Sequence, residues 1–206
     1  MKTQIWDLPT RLYHWLQAIL FIGLAASGFS GHGPHLLLGL GLFCLLVWRL
    51  GWGIIGSETS RFKQFVRSPK TVINYFRGKA NTKVGHNPAG GWMVVALLTT
   101  LLLQCLSGML IAGLFDSLPL ASTLLTDDMY TLAGTIHGLL ARLLPMLVIA
   151  HLVAIAAYKV MKKPMVMAMI TGKQFLPAPS AVKLASNRKA LMLFIASVSV
   201  TMAIIA

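Results

Sequence analysis

Leu132–Tyr158, LAGTIHGLLARLLPMLVIAHLVAIAAY, is a nearly unbroken apolar run with a histidine toward either end. At about 1.5 Å per residue it extends about 40 Å, more than the roughly 30 Å of bilayer hydrocarbon, so it reads as a membrane-crossing helix. His137 and His151 lie 14 residues apart, which gives a rise of about 21 Å and a rotation of about 1400°, within about 40° of four whole turns. They therefore share one helix face, one near each membrane surface. An ionisable side chain inside a span is costly and marks function by default.

Outward from this helix, further apolar stretches occupy about 12–29, 35–56, 92–115 and 190–206, each near the length that crosses a bilayer. The last, Ala190–Ala206, is at the short limit and carries Ser197, Ser199 and Thr201. The 206-residue chain is 56% hydrophobic and only 11% charged, where soluble domains carry about 25% charged residues. The expected fold is all-α, an integral membrane four-helix bundle with a fifth C-terminal transmembrane helix. Residues 1–175 would form the membrane domain, and 176–206 a cytoplasmic linker with the fifth helix. Little chain remains for an extramembrane catalytic domain. Cys44 and Cys105 sit inside apolar runs, and no C-x-x-C or C-x-x-C-H occurs, so a disulfide framework, structural zinc and covalent haem attachment lack support.

The formal charge of +13 must be read by position. The connection around Ser30–Pro34 has no Lys or Arg, and the one after the third span holds Asp116, Asp127 and Asp128 without a basic residue. Residues 57–91 carry Arg61, Lys63, Arg67, Lys70, Arg77, Lys79 and Lys83; the stretch after the fourth span carries Lys159, Lys162, Lys163, Lys173, Lys183, Arg188 and Lys189. With Lys2 and Arg11, that puts all but Arg49 and Arg142 of the 18 basic residues on one side. The positive-inside rule makes that side cytoplasmic, N-terminus included. The charge is thus a topology signal and an attraction to anionic membrane lipid, and it does not call for nucleic acid. A signal peptide is the competing reading of the first segment, but His14, Trp15 and Gln17 lie within that run. Ser68-Pro69 and Asn87-Pro88 mark turns around a short surface helix in 57–91, and Lys162–Gln174 suggests an interfacial helix whose methionines serve lipid or core contact.

Six histidines occur: His14, His32, His35, His86, His137 and His151. His14 and His151 both fall near the cytoplasmic ends of their spans, His35 and His137 near the outer ends. Two His/His pairs stacked about 20 Å apart along a bundle are what two non-covalent b haems with paired axial imidazoles require. The alternative is that each is a hydrogen-bonded interior histidine. Zinc wants more ligands than two per site, and the absence of H-E-x-x-H disfavours an intramembrane metalloprotease. Gly23, Gly28, Gly39, Gly41, Gly108, Gly113 and Gly138 either clear room for a macrocycle or serve helix packing. Arg11 and Arg49 are candidates for the propionates of the inner haem, with snorkelling to headgroups as the alternative. Arg142 lies deeper, where a buried partner is expected. His32 is the substitute should His35 not be the outer ligand. His86 sits in a loop where a solvated ring is expected, a proton role at a quinone site being the functional alternative.

Ile5-Trp6-Asp7-Leu8-Pro9-Thr10-Arg11-Leu12-Tyr13-His14-Trp15 resembles the opening of the bacterial cytochrome b561 and nickel-iron hydrogenase b-type cytochrome family. Gly85-His86-Asn87-Pro88-Ala89-Gly90-Gly91 and the His137–His151 helix ending in Ala156-Ala157-Tyr158 are similar too, so the likeness covers about 2–175. It implies a four-helix bundle with two b haems whose axial histidines, on the first, second and fourth helices, are here His14, His35, His137 and His151. It also implies electron transfer in the bacterial inner membrane between the quinone pool and a partner redox protein, often a periplasmic c-type cytochrome. A variant is direct reaction with a small molecule such as superoxide at the outer haem. The fifth span departs from the family pattern. The competing class is a small membrane transporter or assembly subunit with structural or proton-relay histidines. Against it, the long spans lack the Asp or Glu common in proton relays, and Gly/Pro-broken helix pairs are missing.

Overall fold

The computed structural model describes residues 2–79, 84–162, 165–176 and 182–205; Lys83 and Lys163 of the basic set lie outside them. Along the chain run β1 (Lys2–Gln4), α1 (Leu8–Ser30), α2 (His35–Ile55), a 3-10 turn (Glu58–Ser60), α3 (Phe62–Phe65), α4 (Pro69–Phe76), α5 (Pro88–Ile111), α6 (Ala121–Leu124), α7 (Asp127–Val160), α8 (Met165–Thr171), β2 (Lys173–Phe175) and α9 (Asn187–Ile205). Among the described residues α1, α2, α5, α7 and α9 are long and apolar enough to cross a membrane. The protein is an all-α, multi-pass membrane bundle.

The helix starts follow from capping chemistry. Asp7 accepts from Thr10 N at 2.6 Å, with Pro9 in the first turn of α1. Asn87 accepts from Gly90 N at 2.7 Å with Pro88 opening α5, and Ser68-Pro69 opens α4 in the same way. Each cap satisfies a backbone N–H the helix cannot, and proline forfeits nothing where no intrahelical bond is due. These caps pull α1 and α5 about four residues further toward the basic end than hydropathy suggests. At the other end α7 begins five residues early, taking Asp127 and Asp128 into its first turn, where negative charge suits the helix dipole.

The core lies between α1, α2 and α5. Tyr13, Trp48 and Trp52 stack in series, with ring centroids 5.6 and 5.3 Å apart, against buried Leu42, Leu46, Leu98 and Leu101. Helix α9 packs along α2, pinned where Trp48 Nε1 donates to the Ala190 carbonyl at 3.0 Å. Its hydroxyls are no obstacle to spanning, since Ser197, Ser199 and Thr201 each donate to the carbonyl four residues earlier.

At the basic face the N-terminus is knotted to distant segments. β1 and β2 pair antiparallel, Thr3 opposite Gln174, and Ile5 and Trp6 both donate to the Gly172 carbonyl. Gly172 has φ +78, and a Cβ there would run into Gln4 and the Trp6 carbonyl, so only glycine fits. Thr10 bonds Ser60 at 2.7 Å, and Thr59 donates to the Ile5 carbonyl at 2.6 Å.

Candidate cofactor-binding site

Helix α7 lies along α5 but makes almost no close approach to α1 or α2. The space it leaves at the acidic end is a cavity of about 630 Å³, lined by apolar residues such as Phe21, Leu24, Leu40, Leu101 and Met109, with His35 and His137 among its few polar groups. A mostly apolar cavity with a few convergent polar groups is the usual form of a cofactor site.

His35 and His137 face each other there with ring centroids 6.3 Å apart and planes 79° to one another. Two imidazoles facing across such a cavity would be able to hold a metal-centred cofactor between them. His35 Nδ1 is 2.9 Å from Ser27 Oγ. His137 Nδ1 is 3.1 Å from the Gln104 carbonyl and 3.2 Å from Ser107 Oγ, while its Nε2 is 3.1 Å from Gln104 Nε2. Both rings rest on glycines: a Cβ would come within 3.0 Å of His35 Cε1 at Gly28 and within 2.8 Å of His137 Cε1 at Gly108. The other glycines divide. Gly23 and Gly41 admit Leu38 and Leu20 between α1 and α2, Gly113 takes the left-handed turn after α5, and Gly138 borders open space.

Toward the basic face His14 on α1 and His151 on α7 are half-buried and within electrostatic reach of each other. His14 Nδ1 is buried without a hydrogen-bond partner among the described residues, as is Arg49 Nη1. Arg49 is only 4% exposed, its guanidinium over the rings of Phe62 and Phe65 at 5.0 and 5.9 Å. A buried cationic donor left unpaired is expensive and suits an anionic group. Arg11, by contrast, donates through Nη1 to the Ile170 carbonyl at 2.5 Å and through Nε to the Asp7 carbonyl at 3.3 Å. Among the described residues no group of three or more His, Cys, Asp or Glu is placed to hold a metal ion. The donor set present is therefore paired imidazoles, an apolar cavity and a free guanidinium N–H, which fits haem.

Three expectations are corrected. His86 is not a solvated loop residue: its ring lies 4.8 Å from that of Trp6 and 4.6 Å from that of Phe65, and its Nδ1 is buried. Burial first, then the charges of Arg49 and His151, push its pKa down to about 3, so the ring stays neutral at physiological pH and is no ready proton carrier there. Arg142 has no buried surroundings but lies exposed on α7, because five residues turn it about 140° away from His137. Asp127 and Asp128 fall inside a membrane-length helix, though only in its first turn. His32 is exposed and closes a local contact to the Ser30 carbonyl at 2.7 Å, away from the cavity. Ser27, Ser107 and Gln104 escaped the sequence reading; the one signal for them is a Ser-Gly pair recurring in two spans, Ser27-Gly28 and Ser107-Gly108.

Compared with known families, residues 5–172 match the family of prokaryotic cytochrome b561. No curated protein and no solved structure matches the chain.

Proposed function

The chain belongs to the prokaryotic cytochrome b561 family of transmembrane, haem-binding electron-transfer proteins, and from that premise we propose that it conducts electrons across the bacterial inner membrane through two b haems. One haem lies near the basic, cytoplasmic face between His14 and His151, the other near the periplasmic face between His35 and His137. The quinone pool is the partner on one side and a periplasmic redox protein, a c-type cytochrome, on the other. The observation that carries this reading is the facing of His35 and His137 across an apolar cavity at 6.3 Å.

When bound, haem supplies reversible one-electron iron chemistry, its potential tuned by axial ligation and burial. The chain supplies the rest. Helix α7 presents both of its imidazoles on one face about 21 Å apart, so one continuous helix sets the spacing of the two sites. Arg49 keeps a buried N–H unpaired among the described residues and is the first candidate to hold a propionate, with Arg11 the second. The apolar cavity wall excludes water from the acidic-face site. Charge carried across the membrane couples to its potential by about 2.3 kcal/mol per 100 mV, so the membrane potential biases the direction of flow. The transporter alternative draws no support from the facing of His35 and His137 across an apolar cavity.

The test is the absorption spectrum of the purified protein with a pyridine haemochrome assay. About two haem b per chain, both six-coordinate and low-spin, are expected; one haem or none would refute the proposal.

A further inference from the structure

Resting on the reading that one iron lies between His35 and His137, we propose that Ser27-Gly28 on α1 and Ser107-Gly108 on α5 are two matched seats. Each positions one imidazole, and through ligand basicity they set the potential of that site. Each seat belongs to the helix packed against the one that bears its histidine. Both serines are buried, 7% exposed.

Donor and acceptor counting fixes the proton at His137 and admits the same tautomer at His35. Ser27 Oγ donates to the Leu24 carbonyl at 3.2 Å. A hydroxyl has one hydrogen to give; spent on the Leu24 carbonyl, it leaves Ser27 Oγ to accept from His35 Nδ1 at 2.9 Å, the tautomer the proposal assigns. Ser107 Oγ likewise donates to the Gln104 carbonyl at 3.1 Å and accepts from His137 Nδ1 at 3.2 Å. The Gln104 carbonyl, 3.1 Å from the same Nδ1, has only lone pairs to offer and demands the same tautomer. Gln104 Nε2, 3.1 Å from His137 Nε2, donates to a lone pair on that nitrogen. In this tautomer both rings leave Nε2 unprotonated, and a metal at His137 would take that lone pair from the Gln104 amide. The glycine after each serine lets the ring lie against the neighbouring backbone, where an alanine Cβ would meet Cε1 at 3.0 or 2.8 Å.

A ligating histidine whose other N–H is accepted by a fixed partner is held in orientation and made more basic. Greater basicity favours oxidised iron, so removing the acceptor raises the potential. The seats are unequal: Ser27 accepts alone from His35, whereas at His137 the Gln104 carbonyl shares the proton with Ser107.

The experiment is a potentiometric titration of the purified holoprotein, following the visible spectrum. Ser27→Ala is expected to raise the midpoint of the acidic-face component by the equivalent of about a tenfold change in its oxidised-to-reduced ratio, about 59 mV for one electron. Ser107→Ala should give a smaller rise, Ser27→Thr should restore the wild-type value, and the other component should not move. A Ser27→Ala midpoint equal to wild type, or a shift shared by both components, overturns the proposal. Should Ser27→Ala fail to assemble, Ser107→Ala decides: a raised midpoint supports the seats and an unchanged one overturns them. If His35→Ala left both components intact, the reading beneath the seats would fall instead.

Discussion

Single side chains carry the site. His137 and His151 are too far apart on α7 to reach one iron, so loss of either should strike one centre selectively. His14→Ala and His151→Ala are expected to remove the same spectral component, and His35→Ala and His137→Ala the complementary one. Loss of one component in both His14→Ala and His35→Ala, with the other persisting, would break the pairing. His86 makes a different prediction. Its folded pKa of about 3 lies below the ordinary value near 6.5, so the unfolded chain binds the extra proton first. Stability contributed by the neutral buried ring is full above about pH 6.5 and is lost as pH falls toward 3. His86→Gln should flatten the acid limb of thermal stability between those values; an unaltered limb would show that the ring is not held neutral by the fold. The histidines themselves were legible in the sequence, because an ionisable residue in an apolar run stands out. Ser27, Ser107 and Gln104 were not, since hydroxyls and amides are common in membrane helices and their importance arises only where another helix brings an imidazole to them.

At the scale of elements, the spans were readable from hydropathy and their starts were set by caps that hydropathy ignores. Asp7 caps α1 and also accepts from Trp52 Nε1 at 3.3 Å, so Asp7→Ala should cost about 1 kcal/mol for the cap alone and more with the lost tryptophan contact. Asp7→Asn should recover part of it; thermal melts followed by helical circular dichroism check the order. The β1–β2 ladder and the knot of Thr10, Ser60 and Thr59 could not be read from the chain, because they join segments far apart in sequence through backbone groups and common hydroxyls that carry no sequence signature. The opening motif that marks the family serves this knot as well as supplying His14. Helix α9 was expected from its length, and its packing on α2 shows how it sits. None of its residues lines the cavity. Truncation after Ser186 should therefore leave both haem components in place while lowering thermal stability, and loss of either component would show that α9 reaches the sites.

The whole molecule is polarised, with basic residues at one end and Asp116, Asp127 and Asp128 at the other. A reporter fused within Asp116–Asp128 should score periplasmic and one within Arg61–Lys79 cytoplasmic; the reverse would exchange the two proposed haem positions. That polarity was legible because it needs only counting, whereas the standing-off of α7 from α1 and α2, which makes the cavity, needed the packed bundle. The central claim is that two sites in series carry charge from one face to the other. The most direct measurement reconstitutes the purified protein in sealed vesicles, with a quinol supplied outside and a membrane-impermeant one-electron acceptor trapped within. Reduction of the trapped acceptor is predicted with the wild-type protein and should be abolished in both His14→Ala and His35→Ala. Transfer at the wild-type rate in either variant would contradict the account.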